Sequence, residues 1–188
     1  MLQYRSRRLG AAKIEAQRAG AVGARFPLES GLTGANVCAW ATGSQHEIHT
    51  TGDVAMAHRL FYRLTRNESW LREAWPVIEG CAQFWAGRMT ASHNRSGQYT
   101  VLSDIGADET AGLVNDDAYT NALAGQTLAF ADRVATQLHK APGSNWSQLA
   151  ANVYLPTSTT LSAGRPIHLS GPSGAYAAHL EPSLHNTA

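Results

Sequence analysis

Counted from Leu71, the residues Ala74, Trp75, Ile78, Cys81, Ala82 and Trp85 stand at offsets that are three, four or their sums. That spacing lays side chains along one face of an α-helix. A stripe carrying two indoles, a leucine and an isoleucine must be buried against other elements, and helices of the same period are the natural partners. Pro76 lies inside the stripe. It lacks an N–H and crowds the preceding turn, so the pattern predicts either a kink at Pro76 or a helix whose main part begins there. Trp70, Trp75 and Trp85 share the spacing and are expected to pack between helices.

The rest of the chain reads almost entirely as helix. Leu2 to Gly20 is rich in Ala, Arg, Gln and Glu, with Gly20 as its stop. Gly23 to Thr51 reads as a long loop carrying Pro27, Gly31, Gly34 and Gly43. A helix is expected over about Asp53 to Leu64, with Val54, Ala57, Leu60, Phe61 and Leu64 as its apolar face. Gly97 to Val101 predicts a short hairpin strand. Another helix is expected over about Asp116 to His139, and a short one around Trp146 to Asn152. The expected fold class is therefore all-α, with about five helices. From Ser170 onward the sequence turns to Ala, Ser, Gly and His without periodicity, so 170–188 is expected to be a disordered tail.

With 188 residues, 44% hydrophobic and 15% charged, the chain has the size and composition of one globular domain. A net charge of +1 and the lack of any basic block argue against nucleic acid as a partner. The apolar runs fall short of a membrane span. The arginines after Met1 are not followed by an apolar core, so no secretory leader is read there and the default compartment is the cytoplasm. Cys38 and Cys81 lie far apart and are expected to be buried free thiols.

The segment from Ile105 to Asn121 carries the clearest chemistry. Asp108 and Glu109 stand in a loop just before a helix that opens with Asn115, Asp116 and Asp117. A carboxyl held on a loop against a helix start can be kept protonated by burial and by neighbouring acids such as Asp108, and can then serve as a general acid. On the residues alone the pair reads more simply as a solvated loop pair. Asn115 is the expected cap of the helix. Tyr119 and Asn121, in its first turn, are placed to hold the acidic loop. Glu47 and His49 fall on one side of an extended chain. His46, Glu47 and His49 do not have the H-E-x-x-H spacing of a zinc helix, so no metal site is read there. No phosphate loop, dinucleotide turn or nucleophile elbow is present, and no cofactor is implied.

Four stretches, in order, resemble glycoside hydrolase family 65. Gly23 to Ser30 is similar to the family's G-A-x-F-P-W-E-S. Gln45 to His49, followed by Gly52-Asp53-Val54-Ala55, is similar to E-x-H-x-x-G-D-I-A. Trp75 to Gly80 through Phe84-Trp85 is similar to a family helix ending in A-x-F-W. The acidic loop with Tyr119-Thr120-Asn121 matches the fourth stretch. Gly164 to Leu169 adds a weaker fifth match. The resemblance implies that 1–169 is part of a catalytic barrel of paired helices. It also implies Glu109 as proton donor, with Asp108, Asn115, Tyr119 and Asn121 in support. Arg25, Glu29, Trp40, Glu47 and His49 are the implied contacts to a small carbohydrate.

Within the family the chain is most similar to the inverting hydrolases, acid trehalases and the glucosidase of glucosyl-galactosyl-hydroxylysine among them. A disaccharide phosphorylase and a non-catalytic remnant are the alternatives. Leu28 replaces a family tryptophan, Ala107 a proline, and Thr110-Ala111 an aromatic-polar pair, which bears on substrate choice more than on proton donation. The family's F-W-D-x-E and K-Q segments have no counterpart here. The chain is therefore expected to be an internal piece of a longer enzyme, with apolar surface left exposed and little activity by itself.

Overall fold

The computed structural model describes residues 2–156 and, beyond them, the backbone of residues 157–158, 167–170 and 176–178. Its helices are α1 (Leu2–Arg7), α2 (Leu9–Arg18), α3 (Ala41–His46), α4 (His49–Thr65), α5 (Glu68–Arg88), α6 (Ala118–Gln137) and α7 (Trp146–Asn152). A two-stranded hairpin of β1 (Thr90–Ala91) and β2 (Tyr99–Thr100) follows α5, with Thr90 opposite Thr100. The three strands β3 (Thr157–Ser158), β4 (Ile167–Ser170) and β5 (Tyr176–Ala178) form an antiparallel sheet in sequence order. The fold is thus predominantly helical. Half of the P-I-H-like match and most of the 170–188 tail lie outside the described residues.

α5 is the axis of the structure because it is buried on two sides. Leu71, Ala74, Trp75, Ile78, Ala82 and Trp85 join Leu128, Ala131 and Val134 of α6 and Trp146 and Leu149 of α7 in one apolar cluster. Val77 and Cys81 join Ala12 of α2, Ala24, Phe26, and Val54 and Ala55 of α4 in a second. Pro76 does not break the helix: it sits on the exposed face, where the carbonyl freed by its missing N–H meets water. Gly23, at φ +78, lets the chain lie against α5. A Cβ there would stand 2.4 Å from the Gly80 carbonyl oxygen. The next residue, Ala24, donates its N–H to that same oxygen at 2.8 Å.

α4 and α5 form a helical hairpin with a very short link. Arg66 ends α4 in the left-handed region (φ 52), and the Asn67 side chain caps α5 by accepting the Trp70 N–H at 2.9 Å. Among the described residues no helix is long and apolar enough to cross a membrane.

Five expectations are corrected. The helix expected over Leu2 to Gly20 is divided at Arg8, whose N–H is shared between the carbonyls of Tyr4 and Arg5, a locally tightened turn. The long loop expected over Gly23 to Thr51 contains α3 and the first turn of α4, because tertiary hydrogen bonds hold these short, weakly patterned segments helical. α4 turns Leu60, Phe61 and Leu64 outward. It buries Thr50, Thr51, Val54, Ala55 and His58 instead. Two of its polar members are bonded: Thr51 accepts the Phe26 N–H, and His58 bonds the Val54 carbonyl and stacks on Trp70. Cys81 is buried, but Cys38 is only half-buried, beside the exposed Trp40. Finally, α6 starts at Ala118, two residues later than expected.

Candidate active site

The candidate residues gather where α3, the start of α4 and the loop before α6 meet. Arg25 is buried beneath α3 and donates from one guanidinium nitrogen to the carbonyls of Ser44 (2.6 Å) and Gln45 (2.8 Å). A cation on the last carbonyls of a six-residue helix stabilises the negative end of its dipole. Asn36 adds a bond to the Ser44 hydroxyl at 2.9 Å. α3 ends at Glu47, whose N–H bonds the Gly43 carbonyl and whose side chain is 1% exposed.

The acidic loop is docked on that helix end. Ile105 donates its N–H to the His46 carbonyl at 3.1 Å, and His46 Nδ1 meets the Ser103 carbonyl at 2.8 Å. Asp104 and Val114 exchange two backbone hydrogen bonds, at 2.9 and 2.8 Å, which close the segment between them. Inside it Glu109 begins a single 3₁₀ turn, Glu109–Ala111. Asp108 caps that turn, accepting from the Thr110 N–H at 3.2 Å and the Thr110 hydroxyl at 2.6 Å. Glu109 itself is exposed, near enough for its charge to act on the buried Glu47 carboxyl. Burial pushes Glu47 above the ordinary carboxylate range. The nearby charges of Glu109 and Glu29 add to this, and His49 opposes it.

Next to this pair stands a second linked set. Asp53 accepts from His49 Nδ1 at 2.8 Å and from the Tyr119 hydroxyl at 2.5 Å, and the His49 and Tyr119 rings meet edge to face. Burial works to lower His49. The Asp53 bond and the charges of Asp53, Glu47 and Asp117 outweigh it, so the imidazole is held cationic to higher pH than usual.

The entry to α6 corrects the expected cap. Asp116 is in the left-handed region (φ 60), which turns the chain and passes the capping role to Asp117, whose Oδ1 accepts the Thr120 N–H at 2.8 Å. Asn115 instead braces the loop by accepting the Ser103 N–H at 2.8 Å. Asp116 is gripped by Arg95, Thr100 and Asn121, and Asn121 also donates to the Tyr154 carbonyl at 2.8 Å. Gly106 covers the Asp117 carboxyl so closely that a Cβ would stand 2.5 Å from it. Asp104 is fully buried beside it. Neither oxygen of Asp104, nor Oδ2 of Asp117, has a hydrogen-bond partner among the described residues. Burial pushes the Asp104 carboxyl up to about 7; the Asp117 charge adds to this, while the nearby Thr120 hydroxyl and Arg88 oppose it.

Of the residues singled out in the sequence, Glu47, His49 and Glu109 come together, with Glu29 near enough to act on Glu47 through its charge. Trp40 is exposed at the start of α3, its ring packed over Gly43. Arg25, Asp108, Asn115 and Asn121 are engaged in holding backbone or neighbouring side chains. Tyr119 reaches Asp53 rather than the acidic loop. Sequence reasoning passed over Asp53, Asp104 and Asp117. For Asp53 a signal existed: it stands four residues after His49, one helical turn on.

The profile of the glycosyl hydrolase family 65 central catalytic domain matches residues 1–163. Kojibiose hydrolase of Flavobacterium johnsoniae is 36% identical over 159 residues, 82% of this chain and 23% of that protein. Protein-glucosylgalactosylhydroxylysine glucosidase of Gallus gallus is 36% identical over 158 residues, 83% of this chain and 22% of that protein. The periplasmic acid trehalase of Saccharomyces cerevisiae is 30% identical over 165 residues, 13% of its length. A solved chain from the human microbiome, assigned as a kojibiose phosphorylase, superposes with a TM-score of 0.76 at 14% identity, over 84% of this chain and 25% of its own. The chain therefore spans under a quarter of the length of the first two relatives. Its helices are part of a helical-hairpin (α/α) barrel, and the chain belongs to glycosyl hydrolase family 65.

Proposed function

We propose that the polypeptide carrying this chain is an inverting α-glucoside hydrolase acting on a glucosyl disaccharide or a glucosyl-galactosyl glycan, with Glu109 as general acid. The observation that carries the assignment is the placement of two neighbouring carboxyls. Glu109 is exposed at the tip of a braced loop, where a glycosidic oxygen can reach it, while Glu47 beside it is sealed from solvent. In an inverting mechanism one carboxylic acid protonates the leaving oxygen, and a second carboxylate, roughly 6.5–9.5 Å away, takes a proton from the attacking water. We assign that second carboxylate to the part of the catalytic domain outside residues 1–169. Glu29, Trp40 and His49 are the candidate sugar contacts. The hydrolase reading is preferred to the phosphorylase one because the sequence relatives at 36% identity carry hydrolase and glucosidase names, whereas the phosphorylase likeness is one of fold alone.

The test uses kojibiose, trehalose and a glucosyl-galactosyl-hydroxylysine peptide, with and without inorganic phosphate, on the chain and on the longest polypeptide its gene encodes. The expected result is release of β-glucose first, independent of phosphate, by the longer polypeptide and not by the isolated chain. Glu109→Gln should lower turnover by about 10²–10⁴-fold with an unchanged melting temperature. Glucose 1-phosphate as product, or full activity in the variant, would overturn the assignment.

A further inference from the structure

Three side chains from two helices close on one another at the edge of the candidate site. His49 and Asp53 lie one turn apart on α4, which puts them on the same face. Tyr119 comes from the first turn of α6. Gly52 lets the two helices come this near: a Cβ there would stand 2.6 Å from the Leu123 Cβ of α6. One carboxyl then serves both partners. Asp53 Oδ2 accepts from His49 Nδ1 at 2.8 Å, and Oδ1 accepts from the Tyr119 hydroxyl at 2.5 Å. The imidazole and phenol rings also meet edge to face, with centroids 5.7 Å apart. Each member of the set is therefore held by the other two.

These bonds fix the protons as well as the rings. An ionised carboxylate only accepts, so Nδ1 keeps its proton whether the imidazole is neutral or cationic. The phenolic proton is likewise committed to Asp53. That leaves Nε2, which has no partner among the described residues. The His49 side chain is 12% exposed, so a ligand can reach it only at an edge. The titratable groups around the ring are Asp53 on α4, Glu47 just before it, and Asp117 and Tyr119 at the entry to α6. All four are acids, and none brings a positive charge. Burial opposes a charge on the ring, but the Asp53 bond and the surrounding negative groups outweigh it.

We propose that Asp53 is a positioning residue for His49: holding Nδ1 with one oxygen and Tyr119 with the other, it presents the imidazole as an Nε2–H donor to a hydroxyl oxygen of the bound sugar. The inference rests on the reading of His49 as a sugar contact. Asp53 acts through His49, and Tyr119 acts by fixing Asp53. While the ring is cationic the bond to the sugar is charge-assisted. As pH rises through the His49 midpoint that assistance is lost, and sugar binding weakens.

The experiment is a nitrogen-15 NMR titration of the imidazole rings in the full chain, with Asp53→Asn and Tyr119→Phe as variants and His49→Gln to identify the resonance. In the unaltered chain His49 should lose its Nε2 proton and keep its Nδ1 proton, with a midpoint above the ordinary value of about 6.5. Asp53→Asn keeps an acceptor but removes the charge, and should lower that midpoint by about one pH unit or more. Tyr119→Phe leaves the bond between His49 and Asp53 in place, so the midpoint should not fall. In the longer polypeptide, Asp53→Asn should raise KM for the glucoside about tenfold while changing kcat less. The rise of KM with pH should also begin at lower pH in that variant. A neutral His49 protonated at Nε2 rather than Nδ1 in the unaltered chain would overturn the proposal without any variant having to fold. So would a midpoint unmoved in Asp53→Asn, or a KM whose pH dependence is the same in variant and parent. Failure of the functional reading shows separately, as turnover retained in Glu109→Gln while the His49 titration stands.

Discussion

Between α5, α6 and α7 the buried side chains are apolar: Leu71, Ile78, Trp85, Leu128, Val134 and Leu149. Where the loops gather around the end of α3 and the start of α6, Arg25, Glu47, Asp104, Asp117 and Asn121 are buried alongside Ile48, Ile105 and Val114. The polar satisfaction of the two regions differs in the same sense. Among the described residues the helical layer leaves little besides the Trp85 indole N–H and the Thr127 hydroxyl unpartnered, whereas the loop region leaves atoms of Glu47, Asp104, Asp117 and Asn121 without a bond. Unpaired buried carboxyl oxygens cost stability that an apolar replacement would not. One region is assembled for stability, and the other keeps charge in a dry place at stability's expense, which is the condition for a tuned acid.

The comparison can be attacked first where it is strongest. Trp85→Ala removes the largest fully buried side chain of the helical layer, and should lower the unfolding free energy by about 3–5 kcal/mol, read as a shift in urea midpoint. A loss under about 1 kcal/mol would mean that this layer does not carry the fold.

The second attack uses pH. Asp104 has its folded value raised to about 7 from an ordinary 3.8. Between those values the native state holds a proton the unfolded chain has lost, so the contribution falls as pH rises through that window and is flat above it. Asp104→Asn removes this titration. The variant should match the parent near pH 4 and be more stable than it at pH 8, by no more than roughly 4 kcal/mol. If parent and variant unfold in parallel across this range, Asp104 is not a strained acid and the contrast between the regions weakens.

The smallest effect is expected at Leu64, which is 77% exposed on α4. Leu64→Ser should change the stability of the chain by about 0.5 kcal/mol or less. A larger loss would show that the outward face of α4 is covered.

What could be read beforehand follows physical lines. α5 and α7 were legible because long or bulky apolar residues at helical spacing leave one burial solution, and the start of α6 was misplaced only by a local turn at Asp116. α3 was not legible: six residues with Gly43 and Ser44 carry no stripe, and the helix is held by Arg25 from far along the chain. The buried face of α4 was misjudged because Thr51 and His58 are buried through specific hydrogen bonds, while Leu60 and Leu64 face outward. Glu109 was singled out through the order of residues around it. Glu47 was marked as a sugar contact, but its closeness to Glu109 arises only when α3 docks on the acidic loop, which no spacing along the chain encodes.

The paired hydrogen bonds between Asp104 and Val114 also bear on how such a chain can diversify. They bring the two ends of the acidic loop together before the loop's own residues contribute anything. Closure entropy rises only slowly with length, so insertions between residues 106 and 113 should cost the barrel little. The loop can therefore change in length on either side of Glu109, while Asp104, Val114 and the cap at Asp117 remain as fixed borders. Gly106 marks where such a change must begin, since any side chain there would collide with the Asp117 carboxyl.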